Sequence, residues 1–298
     1  MSPQNESRLT KAEKTANARA QARLIREAQA KKEKRRGWLI RGGVLVAAVA
    51  IVVIVALFII QAQTTNAPIA SSGPVPANAN ANGGVVLGKN NTVVPPASPG
   101  GTVNLASVPT ATATPTASGA AVVPPGIAAS AAGQPVQIVA YVDFICPICN
   151  NFEKQYGTNL QKWRDDGKAT VEYRPMGFLD QSSTTNYSSR AANAAACVAN
   201  ESPEKYNAYF QKLYADQPAE NSAGLGNDAL KKMATDVGAK DISACVDAGT
   251  YRPYTKVITA EALAYGVNGT PSVYVDGKKW DGTTDFAQFT QAIIDAKK

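Results

Sequence analysis

The stretch Tyr141-Val-Asp-Phe-Ile-Cys-Pro-Ile-Cys-Asn-Asn-Phe152 constrains the chain most. An apolar, β-rich run from Val136 to Val142 closes on Asp143 and Phe144, and Cys-Pro-Ile-Cys follows. Helix-forming residues then continue over 146–166, with Phe152, Tyr156, Leu160 and Trp163 at helical spacing on one face. Two cysteines therefore fall on the first turn of a helix that leaves a strand. Pro147 suits that turn, where its missing N–H breaks no bond. The unpaired N–H groups and positive end of the helix favour a thiolate there. Cys146 and Cys149, three residues apart, can close a small disulfide and exchange it with another thiol.

The 298 residues include no histidine. Ser-His-Asp triads, Cys-His nucleophile pairs and histidine-bearing zinc or haem sites are thereby excluded. The charge is also uneven. Residues 1–41 carry 12 Lys and Arg against 4 Asp and Glu, whereas the remainder carries 18 against 19. The basic excess belongs to the N-terminal tail, so net charge gives no support for a nucleic-acid partner.

Residues 7–36 read as a solvated helix with too few large apolar side chains to bury a face. Its run Lys31-Lys-Glu-Lys-Arg-Arg36 could touch anionic headgroups. The next run, 42–60, is uncharged, apolar and long enough to cross a bilayer as a helix. No small-x-small cleavage site follows it, so an uncleaved anchor over 42–61 is expected. The basic tail before it predicts a cytoplasmic N-terminus (1–41) and an exported remainder, with Trp38 at the inner interface. Residues 62–133 are mainly Ala, Pro, Ser, Thr, Asn and Gly, a composition that predicts a disordered linker. Val85-Val-Leu87 and Val93-Val94 could pair across Gly-Lys-Asn-Asn, and the sequence leaves open whether they join the folded domain.

The composition becomes globular at 134–298. Beyond the first strand and helix, the pattern predicts a strand over 170–174 and helices over 188–199, 203–215, 228–237, 241–248 and 254–265. Strands over 272–275 and 278–280 follow, joined by an Asp276-Gly277 hairpin turn, and a closing helix covers 286–296.

This α/β order, β-α-β, a helical block, then β-β-α, resembles the thioredoxin fold, and more narrowly its DsbA-like branch with a helical insertion over about 176–266. The residues that carry the resemblance are Asp143-Phe-Ile-Cys-Pro-Ile-Cys149 and Val267-Asn-Gly-Thr-Pro271, two motifs far apart and in the expected order. The anchor and linker resemble the exported thioredoxin-domain proteins of high-GC Gram-positive bacteria. The resemblance implies a membrane-anchored thiol:disulfide oxidoreductase that needs no cofactor and no metal. Cys146 would be the exposed nucleophile and Cys149 the buried resolving thiol. Pro271 would be cis, with the Thr270 backbone free to bind an extended substrate. Reduced exported proteins would be the substrates, a membrane redox partner would recycle the Cys146–Cys149 pair, and the chain would act as a monomer. Direction stays open between an oxidase and a reductase or isomerase. A non-catalytic client-binding module of the same fold is the alternative from another class.

A loop as short as Cys146–Cys149 constrains the unfolded chain little, which argues against a purely structural bridge. A four-cysteine zinc site lacks a second paired knuckle. Cys197 and Cys245 lie in the helical block, and export favours a structural disulfide between them over two separate buried thiols. Asp143 could relay the Cys149 proton or simply cap or pair near the helix start. Ile148 stands where strongly oxidising members of the DsbA group carry histidine. It offers no charge to the Cys146 thiolate, which predicts a milder oxidant.

Overall fold

The computed structural model describes residues 11–65, 68–98, 100–109 and 123–297, and the chain divides after Thr64 into two units. The described residues of the first lie in one helix, α1 (Lys11–Thr65), whose last residue falls beyond that division and which carries an Arg23–Glu27 ion pair one turn apart. Residues 43–56 of α1 hold their side chains exposed. Among the described residues no helix is long and apolar enough to cross a membrane. The span expected over 42–61 runs past residue 56, and the side chains of α1 beyond that point lie outside the described residues.

The second unit begins with four short strands, β1 (Ser72–Pro74), β2 (Val85–Leu87), β3 (Val93–Val94) and β4 (Thr102–Asn104). β5 (Val136–Val142), α2 (Pro147–Asp165) and β6 (Ala169–Pro175) follow as a β-α-β unit. The helical block comprises α3 (Tyr187–Glu201), α4 (Tyr206–Ala215), α5 (Asn227–Asp236), α6 (Ser243–Ala248) and α7 (Arg252–Ala264). β7 (Ser272–Val275), β8 (Lys278–Lys279) and α8 (Phe286–Ala296) close the chain. Asp276 and Gly277 both take positive φ, 50° and 84°, as a tight hairpin turn between β7 and β8 requires.

One six-stranded sheet runs β3-β2-β6-β5-β7-β8. β5 and β6 pair in parallel, and α2 provides the crossover that parallel neighbours need. β7 pairs antiparallel to β5 with Tyr141 opposite Ser272. This register sets the site: residues leaving β5 at 143–146 meet residues entering β7 at 270–271. All seven β5 positions except Gln137 are buried, as a strand covered on both faces must be. The expected α2 face of Phe152, Tyr156, Leu160 and Trp163 is buried, and Phe152 and Tyr156 stack edgewise or tilted on Phe286 and Trp280. In the helical block, Cys197 and Cys245 are joined by a disulfide across Cα atoms 6.0 Å apart. Their bonding to each other leaves no four-thiol metal site.

The linker expected over 62–133 requires correction. β2 adds antiparallel to β6 with Val86 opposite Glu172, and β3 folds back on β2. Val85 and Leu87 are buried, and Leu87 is wholly enclosed. Side-chain amides secure the rest: Asn78 donates to the Ala199 carbonyl, and Asn80 accepts from the N–H groups of Asn82 and Gly84. Farther on, the Pro125 carbonyl accepts from Arg174, whose guanidinium also pairs with the buried Glu172 at 2.6 Å. The sequence offers Val85–Leu87 and Val93–Val94 as a strand pair but leaves open whether they join the domain, because strands this short have no legible period; β2 joins by pairing the edge of β6. Residues 110–122 of the expected linker lie outside the described residues.

Candidate active site

Cys146 is the N-cap of α2, with extended φ/ψ (−72°, 116°), and Pro147 occupies the first helical position. The turn that delivers it is closed by the Cys146 N–H on the Asp143 carbonyl at 3.1 Å. Both thiols are free, Cys149 is wholly buried, and Cys146 keeps 5% of its surface. The exposure expected of Cys146 is therefore corrected. The Thr270 carbonyl lies against the Cys146 sulfur at 3.3 Å, and the exposed members of the motif are Pro147 and Ile148, the latter 65% accessible. The Thr270–Pro271 peptide is cis.

The two thiols are driven apart in acidity. Cys146 is lowered to about 6, first by the Cys149 thiol, which donates to its sulfur, and against the cost of burial. The Thr270 hydroxyl and the N–H groups of Cys149 and Ile148 add to the lowering. While protonated, Cys146 donates to the Thr270 carbonyl, and the Thr270 side chain also acts on the Cys149 thiol. Cys149 is pushed well above its ordinary value by burial and by its bond to Cys146. One thiol is thus poised to ionise near neutrality and the other to remain protonated beside it.

Asp143 is fully buried at the end of β5. Its two oxygens accept the N–H groups of Ile145 at 3.0 Å and Leu179 at 2.9 Å. Burial raises its carboxyl to about 7, against the hydrogen bonds from Ser188, Ile145 and Leu179. Of the two roles expected, the geometry matches pairing near the helix start, since both oxygens are committed to backbone donors.

Several residues of the site were not singled out in the sequence. Gln217, just beyond α4, donates to the carbonyls of Phe144 and Cys146 at 3.1 and 2.9 Å. Asn150 donates to Gln217 and to the Tyr214 carbonyl, both at 3.0 Å. Glu153, one turn after Cys149 on α2, is buried and raised to about 7 by desolvation. It accepts from Tyr173 at 3.1 Å and Gln211 at 3.2 Å, and its second oxygen has no partner. These side chains meet through the tertiary packing of α2 on α4 and β6, and no local motif marks them. Among the described residues no group of three or more metal-ligating side chains gathers.

A thiol at a helix start, a buried partner thiol and a cis-proline segment against them lie together at one end of this sheet, the arrangement of a thioredoxin-fold dithiol site. The chain belongs to the thioredoxin family, whose model matches residues 127–296. Among curated relatives, the chain is 32% identical over 168 residues to the serine/threonine-protein kinase PknE of Mycobacterium tuberculosis (strain H37Rv). The match covers 53% of this chain and 29% of the kinase, so the chain spans less than a third of that relative. It is 24% identical to disulfide bond formation protein D of Bacillus subtilis over 53% of this chain and 71% of that protein. Among solved structures, the reduced disulfide bond oxidoreductase DsbG of M. tuberculosis aligns with a TM-score of 0.52 at 25% identity, covering 73% of this chain and 88% of that one. Oxidised DsbA of M. tuberculosis aligns at 0.51 and 25% identity, covering 72% and 91%.

Proposed function

We propose that the chain introduces disulfides into exported proteins by dithiol–disulfide exchange through Cys146 and Cys149. The observation that carries this is the split in acidity between Cys146, near 6, and the buried Cys149. A stabilised Cys146 thiolate favours the reduced enzyme and so makes its disulfide an oxidant. In the oxidised enzyme, a substrate thiolate attacks the Cys146 sulfur and the Cys149 sulfur leaves with the bonding electron pair. Cys149 takes up a proton, as its raised pKa favours. A second substrate thiolate attacks the substrate sulfur of the mixed disulfide and expels Cys146 as thiolate. The substrate gains a disulfide and the enzyme is left reduced by two electrons. Thr270 and Pro271, against Cys146, form the surface on which an extended substrate would lie.

The uncharged run 42–60 supports a membrane anchor that holds this domain on the extracytoplasmic side. A membrane redox partner would then accept electrons from the reduced Cys146–Cys149 pair. The bare, apolar Ile148 beside Cys146 favours a second reading, a milder enzyme acting as isomerase or reductase. Acid quenching of living cells followed by alkylation of free thiols separates the two. A mostly oxidised Cys146–Cys149 pair is the expected result, and a mostly reduced pair would overturn the oxidase reading.

A further inference from the structure

The helical block contributes a side chain directly to the backbone around the reactive thiol. Gln217 follows the last turn of α4, where its N–H is held by the Tyr214 carbonyl at 3.3 Å. Its side-chain amide donates to two carbonyls at once, those of Phe144 and Cys146. Both belong to the turn that presents the Cys146 sulfur, and the Cys146 carbonyl also accepts the Asn150 N–H that opens α2, at 3.3 Å. The orientation of the Gln217 amide is fixed from the helix itself. The Asn150 side chain donates to the Gln217 oxygen, so the Gln217 nitrogen must face the carbonyls. Asn150 is tied in turn to the Tyr214 carbonyl, and the Tyr214 ring packs on Phe144 with centroids 5.3 Å apart.

We propose that Gln217 is a positioning residue of the redox centre, through which the helical block favours the Cys146 thiolate. This rests on the reading of Cys146 as the exchanging thiol. The physical reason is the sign of the neighbouring dipoles. A carbonyl oxygen carries partial negative charge and opposes a thiolate formed nearby. The oxygens of Phe144 and Cys146 flank the ionising residue, and the Gln217 N–H groups place partial positive charge on both. The same bonds fix the turn so that the N–H groups of Ile148 and Cys149 stay directed at the sulfur. Nothing about position 217 in the sequence announces this, since the contact spans more than seventy residues and joins the insertion to the turn that opens α2.

The test uses the full-length chain with Cys197–Cys245 intact and Cys146–Cys149 reduced, and reads the pH dependence of Cys146 alkylation. Q217M keeps the side-chain length and removes both donors. It is expected to raise the ionisation midpoint of Cys146 by about half to one pH unit, a threefold to tenfold change in the thiol–thiolate equilibrium. In a glutathione redox buffer at neutral pH, the variant should shift towards the disulfide form by about threefold. A residue that only braced the fold would lower thermal stability and leave both readings where they were, and that result would overturn the proposal. N150A retains the donors but removes the group that orients them. It carries the same expectation should Q217M fail to fold, and an unmoved midpoint in it would equally overturn the proposal. If the wild-type midpoint itself is not depressed, the role of Cys146 fails. If it is depressed and neither variant moves it, only the role of Gln217 fails.

Discussion

The Cys146 sulfur lies 3.3 Å from the carbonyl oxygen of Thr270, across a gap set by the pairing of Tyr141 with Ser272. The strand register thus brings together two segments more than 120 residues apart and places Cys146 where the Cys149 thiol, the Thr270 side chain and the N–H groups at the helix start act on its sulfur. Cys146 is held near 6 while Cys149 is held far higher. At neutral pH an alkylating reagent should therefore label Cys146 quickly and Cys149 very slowly, with a Cys146 rate that rises through a midpoint near 6. Mass spectrometry of partly labelled reduced protein checks this. Equal labelling of the two would contradict the geometry.

Ile148 is exposed and gives the Cys146 thiolate no charge or donor beyond its own N–H. Replacing it by histidine adds a cation beside the sulfur. Ile148→His is expected to lower the Cys146 midpoint further and to favour the reduced form against glutathione by on the order of tenfold. A redox titration reads the change. No shift would mean that backbone dipoles alone set the potential.

Two buried carboxyls make the stability of the fold depend on pH. Asp143 and Glu153 are both raised to about 7 by desolvation, from ordinary values near 4. In the unfolded chain they lose their protons first, so between about pH 4 and 7 the folded state binds more protons and stability falls as pH rises. Their contribution is greatest below the unfolded values and is lost through the folded ones. Glu153→Gln, which resembles the protonated acid, should match wild type near pH 4. It should then gain on wild type by on the order of 1–3 kcal/mol as pH passes about 7. Denaturant unfolding at several pH values tests this, and parallel pH profiles for the two proteins would refute it.

The segment before the thioredoxin-like core is a part of that core. Leu87, wholly enclosed between β6 and the folded domain, leaves a cavity when truncated, and Leu87→Ala should cost about 2–5 kcal/mol. An unstructured linker would lose nothing by the same change. Thermal unfolding of the full-length variant distinguishes the two.

The legible parts of the sequence are those whose order is local. The strand at Val136–Val142, the helix behind Cys146, the strand at Ser272–Val275 and the helix at Phe286–Ala296 each have a period long enough to read, and each lies where it was expected. The Cys146–Cys149 pair was visible for the same reason, because its chemistry sits within one helical turn. What the sequence concealed is held by distant partners. The β2–β3 pair could be read locally but its membership of the domain depends on the edge of β6; Gln217 takes its place from carbonyls seventy residues earlier, and Glu153 from Tyr173 and Gln211 on other elements. The low exposure of Cys146 belongs to this group, since the Thr270 loop that meets it arrives late in the chain.

The most direct test of dithiol exchange at Cys146 is the oxidation of a reduced two-thiol peptide by the oxidised full-length protein, followed by mass spectrometry. Wild type should transfer one disulfide per chain and emerge with Cys146 and Cys149 reduced and Cys197–Cys245 intact. A chain with Cys149→Ser, its Cys146 activated as a mixed disulfide with a small aromatic thiol, should pass Cys146 to a single-thiol peptide and stop at a Cys146–peptide disulfide, because no second thiol is present to expel Cys146. Transfer that persists at the wild-type rate in Cys146→Ser, or a mixed disulfide mapped to any other cysteine, would contradict the account.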